Sequence, residues 1–327
     1  MKDELIDFNR CFGKRRARHK KKIFIDNTVN ALSPLGIKAT VAAARVGPLA
    51  VKNVYLGDVA TAAIVVAAGY DTSERALLAR GYRPLETDYN RRTQLYEMLI
   101  RLAASLLAIA AVYPLFRYGL AAHGLIGAAS IAASFGLLVL ALAMARGFDN
   151  TTTFGKSTSL FTLLQLAQKH GTAEAAYALV DYGSYSRIGL DRLKADIGAE
   201  TTVVYLDALA VGDRLLIATR GRGAAIGRAM AQAAGTQAVV VGYDEPAGRF
   251  AMFDDFVLVS AVDEQAGHYA IRNARTEHDL SFDPELVERM PDILQAGLFR
   301  PIIKNGRMKK GGKAAGSTAE TKDDGKR

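Results

Sequence analysis

Cysteine is almost absent from this 327-residue chain: the single Cys11 excludes an intrachain disulfide and fits a reducing compartment. Aromatic residues are missing from its basic stretches. The net charge of +9 lies mostly in GKRRARHKKK near the start and in the C-terminal tail, with nothing interleaved for bases to stack on. A nucleic-acid-binding role is therefore not expected. The N-terminus is polar and basic with no apolar core of its own, so no signal peptide is expected there. Charge itself nearly disappears between Met98 and Ala145.

That uncharged stretch is two apolar blocks, MLIRLAASLLAIAAVYPLF and GLIGAASIAASFGLLVLALAMA. Each has about 20 residues, the length a helix needs to cross some 30 Å of hydrocarbon. Arg101 can snorkel from the start of the first block, and Tyr113-Pro114 suits a helix end in the headgroup region. The second block carries no charge, and Gly124, Gly127, Ala128 and Ala132 allow close helix packing. Buried helices of a soluble core show a polar stripe, which neither block has. The expectation is a transmembrane hairpin over 98–145.

A hairpin returns the chain to the side it left. Arg91, Arg92 and Arg101 precede it and Arg146 and Lys156 follow it, whereas the turn carries only Arg117 and His123. The positive-inside rule then puts the globular part and both termini in the cytoplasm, on a two-pass protein of a bacterial inner membrane. The basic N-terminal segment is explained by topology and by attraction to anionic lipid headgroups, so membrane lipid is an expected partner.

The remaining residues divide into a basic helical segment (1–36), a discontinuous α/β domain (37–97 and 146–303) and a disordered basic tail (304–327). Short β-like runs are read at Lys38–Ala44, Asn53–Leu56 and Ala63–Ala68, then at Ala175–Val180, Thr201–Leu206, Arg214–Ala218 and Ala238–Tyr243. A late strand pair is read at Phe256–Ala261 and His268–Ile271. Helices are read at Lys156–Lys169, Ala224–Ala234 and Pro284–Phe299. Strands alternating with helices predict an α/β fold of three layers, with a mixed but mainly parallel sheet and sites at the carboxyl ends of its strands.

Taken in order, KNVYLGDVATAAIVVAAGYDT, FDNTTTFGKSTSLFTLLQLA, AYALVDYGSYSRIG, VVYLDALAVGD and IRNARTEHDLSFD give the chain a pattern. It resembles the zinc aminopeptidases and carboxypeptidases of peptidase family M twenty-eight, in a bacterial subgroup with a membrane hairpin inserted after the first metal-ligand motif. The resemblance implies two zinc ions, a bridging carboxylate and a glutamate base. Residue by residue, it puts the first metal-binding histidine on Gly69 and the carboxylate that orients it on Asp71. The bridging aspartate falls on Asp149. The base and the ligand that follows it fall on Gly183 and Ser184, the next ligand aspartate on Asp207, and the last histidine on Arg275.

Two ligand positions keep a carboxylate, Asp149 and Asp207, while Gly69, Ser184 and Arg275 cannot serve and Gly183 is no base. The resemblance thus implies a zinc-peptidase-like fold without zinc or peptidase chemistry. Its remnant cleft of Asp71, Asp149, Ser184, Asp207 and Arg275 would hold a peptide or protein partner. In that cleft Arg275 is expected to stand in for the lost cation by pairing with Asp149 or Asp207. The alternative is an active membrane-bound metallo-aminopeptidase with relocated zinc ligands, for which His268 and His278 are the nearest candidates.

Two other signals read as structural. The run Arg220-Gly-Arg-Gly223 looks like a phosphate-binding loop but lacks a downstream acidic partner, so it reads as a helix start. Asp254-Asp255 reads as a solvated turn. Ser184 has no histidine in a matching motif to activate it as a nucleophile.

Overall fold

The computed structural model describes residues 2–299 except 78–80, 148–153, 184–185, 246–247, 273, 277–278 and 280. Asp149, Ser184, His278 and the tail fall outside the described residues.

Three β-branched or alanine-rich runs form the buried centre of the sheet: β3 (Ile64–Gly69), β4 (Ala176–Val180) and β5 (Thr202–Leu206). Such unbroken apolar runs suit strands covered on both faces. Around them lie β1 (Ala39–Val46), β2 (Leu49–Leu56), β6 (Arg214–Arg220), β7 (Ala238–Gly242), β8 (Phe256–Gln265) and β9 (His268–Ala270). The order is β1-β2-β4-β3-β5-β8-β6-β7, with β9 paired to β8. The run β4-β3-β5-β8 is parallel, as is β6 with β7. The pairs β1/β2, β2/β4, β6/β8 and β8/β9 are antiparallel, so the sheet is mixed rather than mainly parallel. Hairpins at the flanks need only short turns, whereas the centre needs helical crossovers.

One face of the sheet packs against α2 (Arg18–Leu32), α5 (Phe154–His170), α7 (Gly223–Ala234) and α8 (Pro284–Leu298), through Phe24, Leu163, Met230 and Leu294 among others. The other carries α6 (Ile188–Asp196) and the aromatic cluster of Tyr243, Phe250, Phe253 and Phe256. α6 lies so close that a Cβ on Gly189 would stand 1.8 Å from the carbonyl oxygen of Asp181.

The N-terminal segment is not one helix. α1 (Lys2–Phe12) and α2 are separated at Gly13–Ala17, because Arg15 turns inward and is fully buried. The first apolar helix, α3 (Thr87–Ala121), begins well before Met98, with the Thr87 N–H and hydroxyl donating to Glu245 at 2.6 and 2.8 Å. It runs on through Pro114 instead of ending there, leaving a short turn before α4 (Gly124–Arg146). Both helices are long and apolar enough to cross a membrane. The helix start at Gly223 is as read, but Asp255 is no solvated turn: Arg222 donates to it from its backbone N–H (2.6 Å) and its Nε (2.7 Å).

Candidate functional site

The three central strands each deliver one aspartate at the carboxyl end: Asp181 after β4, Asp71 just beyond β3 and Asp207 after β5, all 2% exposed or less. Buried carboxylates need partners, and here basic side chains from distant elements supply them. Lys21 on α2 reaches Asp181 Oδ1 at 2.5 Å, and the Lys52 and Tyr182 N–H groups donate to the same carboxylate. Lys156, in the first turn of α5, bonds Asp207 Oδ1. Arg249 stands 3.8 Å from Asp207 Oδ2 and donates to the Tyr205 hydroxyl at 2.9 Å. Arg15 donates from Nε to the Tyr70 carbonyl at 2.6 Å, while its N–H bonds Thr72 Oγ1 at 2.9 Å.

These groups form one electrostatic cluster. Burial pushes the Asp71 pKa up, opposed by Lys21, Lys156 and Arg249, with Asp181 adding to the rise. Burial pulls Arg15 down to about 10, against the attraction of Asp71. Burial alone would also lower Arg249, but Tyr205, Tyr82 and Asp207 hold it above the ordinary arginine value. Tyr182 and Ala208, the residues after two of the aspartates, sit at φ 52° and 53°. Left-handed backbone at non-glycine residues costs about 1–3 kcal/mol each and tends to gather at functional sites.

Beside the cluster opens a small pocket. Lys156, Asp207, Arg272, Arg275 and Asp279 supply its charge, and Ala208, Val211, Ile271 and Ala274 much of its apolar wall. Asp279 accepts the Gly155 N–H at 3.0 Å, and burial raises its pKa to about 7 against that bond and Lys156.

No protein-family model and no curated protein matches this sequence. Solved structures do match. The glutaminyl cyclase of Porphyromonas gingivalis superposes with a TM-score of 0.53 at 12% identity, over 92% of this chain and 96% of that one. The LapA aminopeptidase of Legionella pneumophila gives 0.50 at 9% identity, over 90% and 68%. The fold is the one shared by glutaminyl cyclases and aminopeptidases.

Within that fold, the residues to which the resemblance assigns metal chemistry are arranged as follows. Gly69 and Gly183 face each other: a Cβ on Gly183 would stand 2.7 Å from Gly69 Cα and 2.9 Å from the Tyr205 hydroxyl. Asp207 and Arg275 both line the pocket, but Asp71 does not. Arg275 does not pair with Asp207, as expected of it. Its guanidinium bonds Glu97 Oε2 on α3 at 2.8 Å, and its backbone is left-handed at φ 65°. The cations nearest Asp207 are Lys156 and Arg249, to neither of which the sequence assigns a place in the site. His268 is bonded to Glu86 at 2.6 Å on the surface hairpin. Among the described residues no three His, Cys, Asp or Glu side chains gather closely enough to hold a metal ion.

Those side chains do not fit the zinc pair that the resemblance implies. An ammonium group fills the near side of Asp207, and a histidine at position 69 would have to displace Gly183 and Tyr205.

Proposed function

We propose that this is a membrane-anchored protein of zinc-peptidase-like fold that lacks peptidase chemistry and has a binding or regulatory role. Its body and both termini face the cytoplasm of a bacterium, and the pocket beside Asp207 receives a peptide or protein partner. The observation that carries this reading is the contact between Gly69 and Gly183. Where the resemblance would put a metal ligand and a general base, two side-chain-free residues pack together under the Tyr205 hydroxyl. The lysine on Asp207 supports it, since a fixed ammonium already occupies Oδ1 of that carboxylate and offsets its charge.

The membrane part rests on the two apolar helices and on the basic residues flanking them. Full-length protein, purified in detergent, should contain no stoichiometric zinc and show neither aminopeptidase nor glutaminyl cyclase turnover, with or without added zinc. Stoichiometric zinc together with turnover that an Asp207→Asn variant loses would establish the active-enzyme alternative instead.

A further inference from the structure

The basic run Lys14–Lys22 is not a loose tail, because two of its members are turned inward while five stay exposed. Arg15 and Lys21 turn inward, the first fully buried against the Tyr70 carbonyl and the second bonded to Asp181. Lys14, Arg18, His19, Lys20 and Lys22 are exposed, and the run contains no acidic residue to neutralise them. No ion pair joins these five to any described side chain. The preceding helix carries Asp3, Glu4 and Asp7, of which Asp7 is 3.6 Å from Arg10.

Arg16 fixes where this surface stands. Its guanidinium donates to the Gly147 carbonyl at 3.1 Å, immediately after α4 ends, and contacts Glu74 at 3.1 Å. Glu74 in turn holds Arg101 of α3 at 2.5 Å. Both feet of the apolar hairpin are therefore tied to Arg16, directly at Gly147 and through Glu74 at Arg101, so the segment that carries the exposed lysines is fastened where the apolar helices end.

We propose that Lys14, Arg18, His19, Lys20 and Lys22 form a pre-ordered docking surface for acidic phospholipid headgroups. This rests on the membrane-spanning reading of the hairpin and assigns the lipid class and the residues that recognise it. Basic side chains near an anionic leaflet each contribute on the order of 1 kcal/mol, screened within a Debye length. Because Arg15 and Lys21 tie the same segment to the strand ends, the surface is ordered before lipid arrives, and little entropy is lost on contact. It also makes the segment a direct connection between headgroups and the aspartate cluster.

Cys11, the only cysteine, is exposed nearby and gives a natural labelling site. Full-length protein labelled there with a donor fluorophore is reconstituted into vesicles containing trace headgroup-labelled phosphatidylglycerol or phosphatidylcholine. Energy transfer at about 0.1 M salt should report a several-fold enrichment of the acidic lipid over the neutral one. It should fall toward unity at high salt. The Lys14→Glu, Arg18→Glu, Lys20→Glu, Lys22→Glu variant should lose it while keeping the parent's unfolding temperature, since these side chains are exposed and form no ion pair among the described residues.

Equal transfer to both lipids, or enrichment unchanged in the variant, would overturn the proposal. So would loss of enrichment on adding millimolar inorganic phosphate, which would mark a site for small anions rather than a lipid surface. Should the variant unfold, Lys14→Gln, Lys20→Gln gives the same comparison with a smaller expected drop, and unchanged enrichment there also overturns the proposal. Failure of the membrane reading is a separate result: the protein would leave the vesicles on alkaline extraction.

Discussion

The α/β body and the hairpin obey opposite rules. In the body, Leu163, Leu206 and Leu258 are at most 1% exposed, while charged Lys169 and Asp292 stand in solvent. In α3 and α4, Leu107 is 72% and Leu125 87% exposed, yet Glu97 and Arg101 are only 2% and 7% exposed. Water penalises exposed apolar area by about 25 cal/mol per Å², so the second pattern would be costly in an aqueous setting. In hydrocarbon it is the natural one, since polar groups must then find partners inside the protein. On the proposed membrane reading, substitutions in the two regions should therefore have different consequences.

The largest effect is expected where the regions meet. Glu97 on α3 and Arg275 on the pocket wall form an ion pair with side chains 3% and 15% exposed. Breaking such a pair leaves one charge buried and uncompensated, which costs about 3–5 kcal/mol. Arg275→Ala or Glu97→Ala should each lower the unfolding midpoint in detergent accordingly. Arg275→Leu with Glu97→Leu should recover most of the loss, because replacing both partners removes the stranded charge. A single variant as stable as the parent would mean that hairpin and body are not coupled at this point.

Next comes a charge placed in the middle of the hairpin. Leu107→Asp should cost about 2.5–3.5 kcal/mol of insertion free energy. The expected outcome is loss of protein from the alkaline-washed membrane fraction. A variant that remains there unchanged would show that Leu107 faces a polar cavity rather than lipid.

The hairpin was legible because nothing interrupts its two apolar blocks, and β3, β4 and β5 because β-branched runs end in polar loops. The first eleven residues of α3, TDYNRRTQLYE, read instead as a polar connection; their helix is completed by Glu245 and Arg275, far along the chain. α6 was missed because it is short and contains Gly189, the residue that lets it lie against Asp181. The site was the least legible part. Lys21 sits in a run of basic residues that looks solvated throughout, and its partner is 160 positions away. Arg15 finds the Tyr70 carbonyl 55 positions away. No local pattern distinguishes these two from their exposed neighbours, and Arg275 meets Glu97 rather than Asp207, a partner 178 positions away that nothing near Arg275 in the chain announces.

A finer test concerns Asp279, whose folded pKa of about 7 lies above the ordinary carboxylate value because it is half-buried and partly desolvated beside α5. A carboxyl raised by folding is favoured in its protonated form. Its contribution is therefore fully present below about pH 4 and is lost as the pH rises toward 7. The Gly155 N–H and Lys156 face it and limit the rise. Asp279→Asn keeps an acceptor for Gly155 but cannot ionise. Unfolding midpoints between pH 4 and 8 should show the parent losing more stability than the variant over that interval. Parallel curves would mean that Asp279 titrates normally and the pocket is wetter than its lining suggests.

The most direct comparison of the two regions is the same leucine-to-alanine change in each, of which Leu107→Ala is the smallest effect expected. Leu163 is fully buried between α5 and the sheet, so Leu163→Ala leaves a cavity that the surrounding side chains only partly fill, at about 2–5 kcal/mol. Leu107→Ala removes the same atoms from a side chain that is 72% exposed. If lipid surrounds it, acyl chains flow into the space and no cavity remains; the change costs only the difference in membrane preference, under about 1 kcal/mol. Thermal unfolding of the two variants in matched nanodiscs should therefore separate by several degrees. A Leu107→Ala protein as unstable as Leu163→Ala would break the comparison. It would mean that this leucine is packed against protein, so that another helix, from a second copy or a partner, covers the hairpin where the isolated chain leaves it bare.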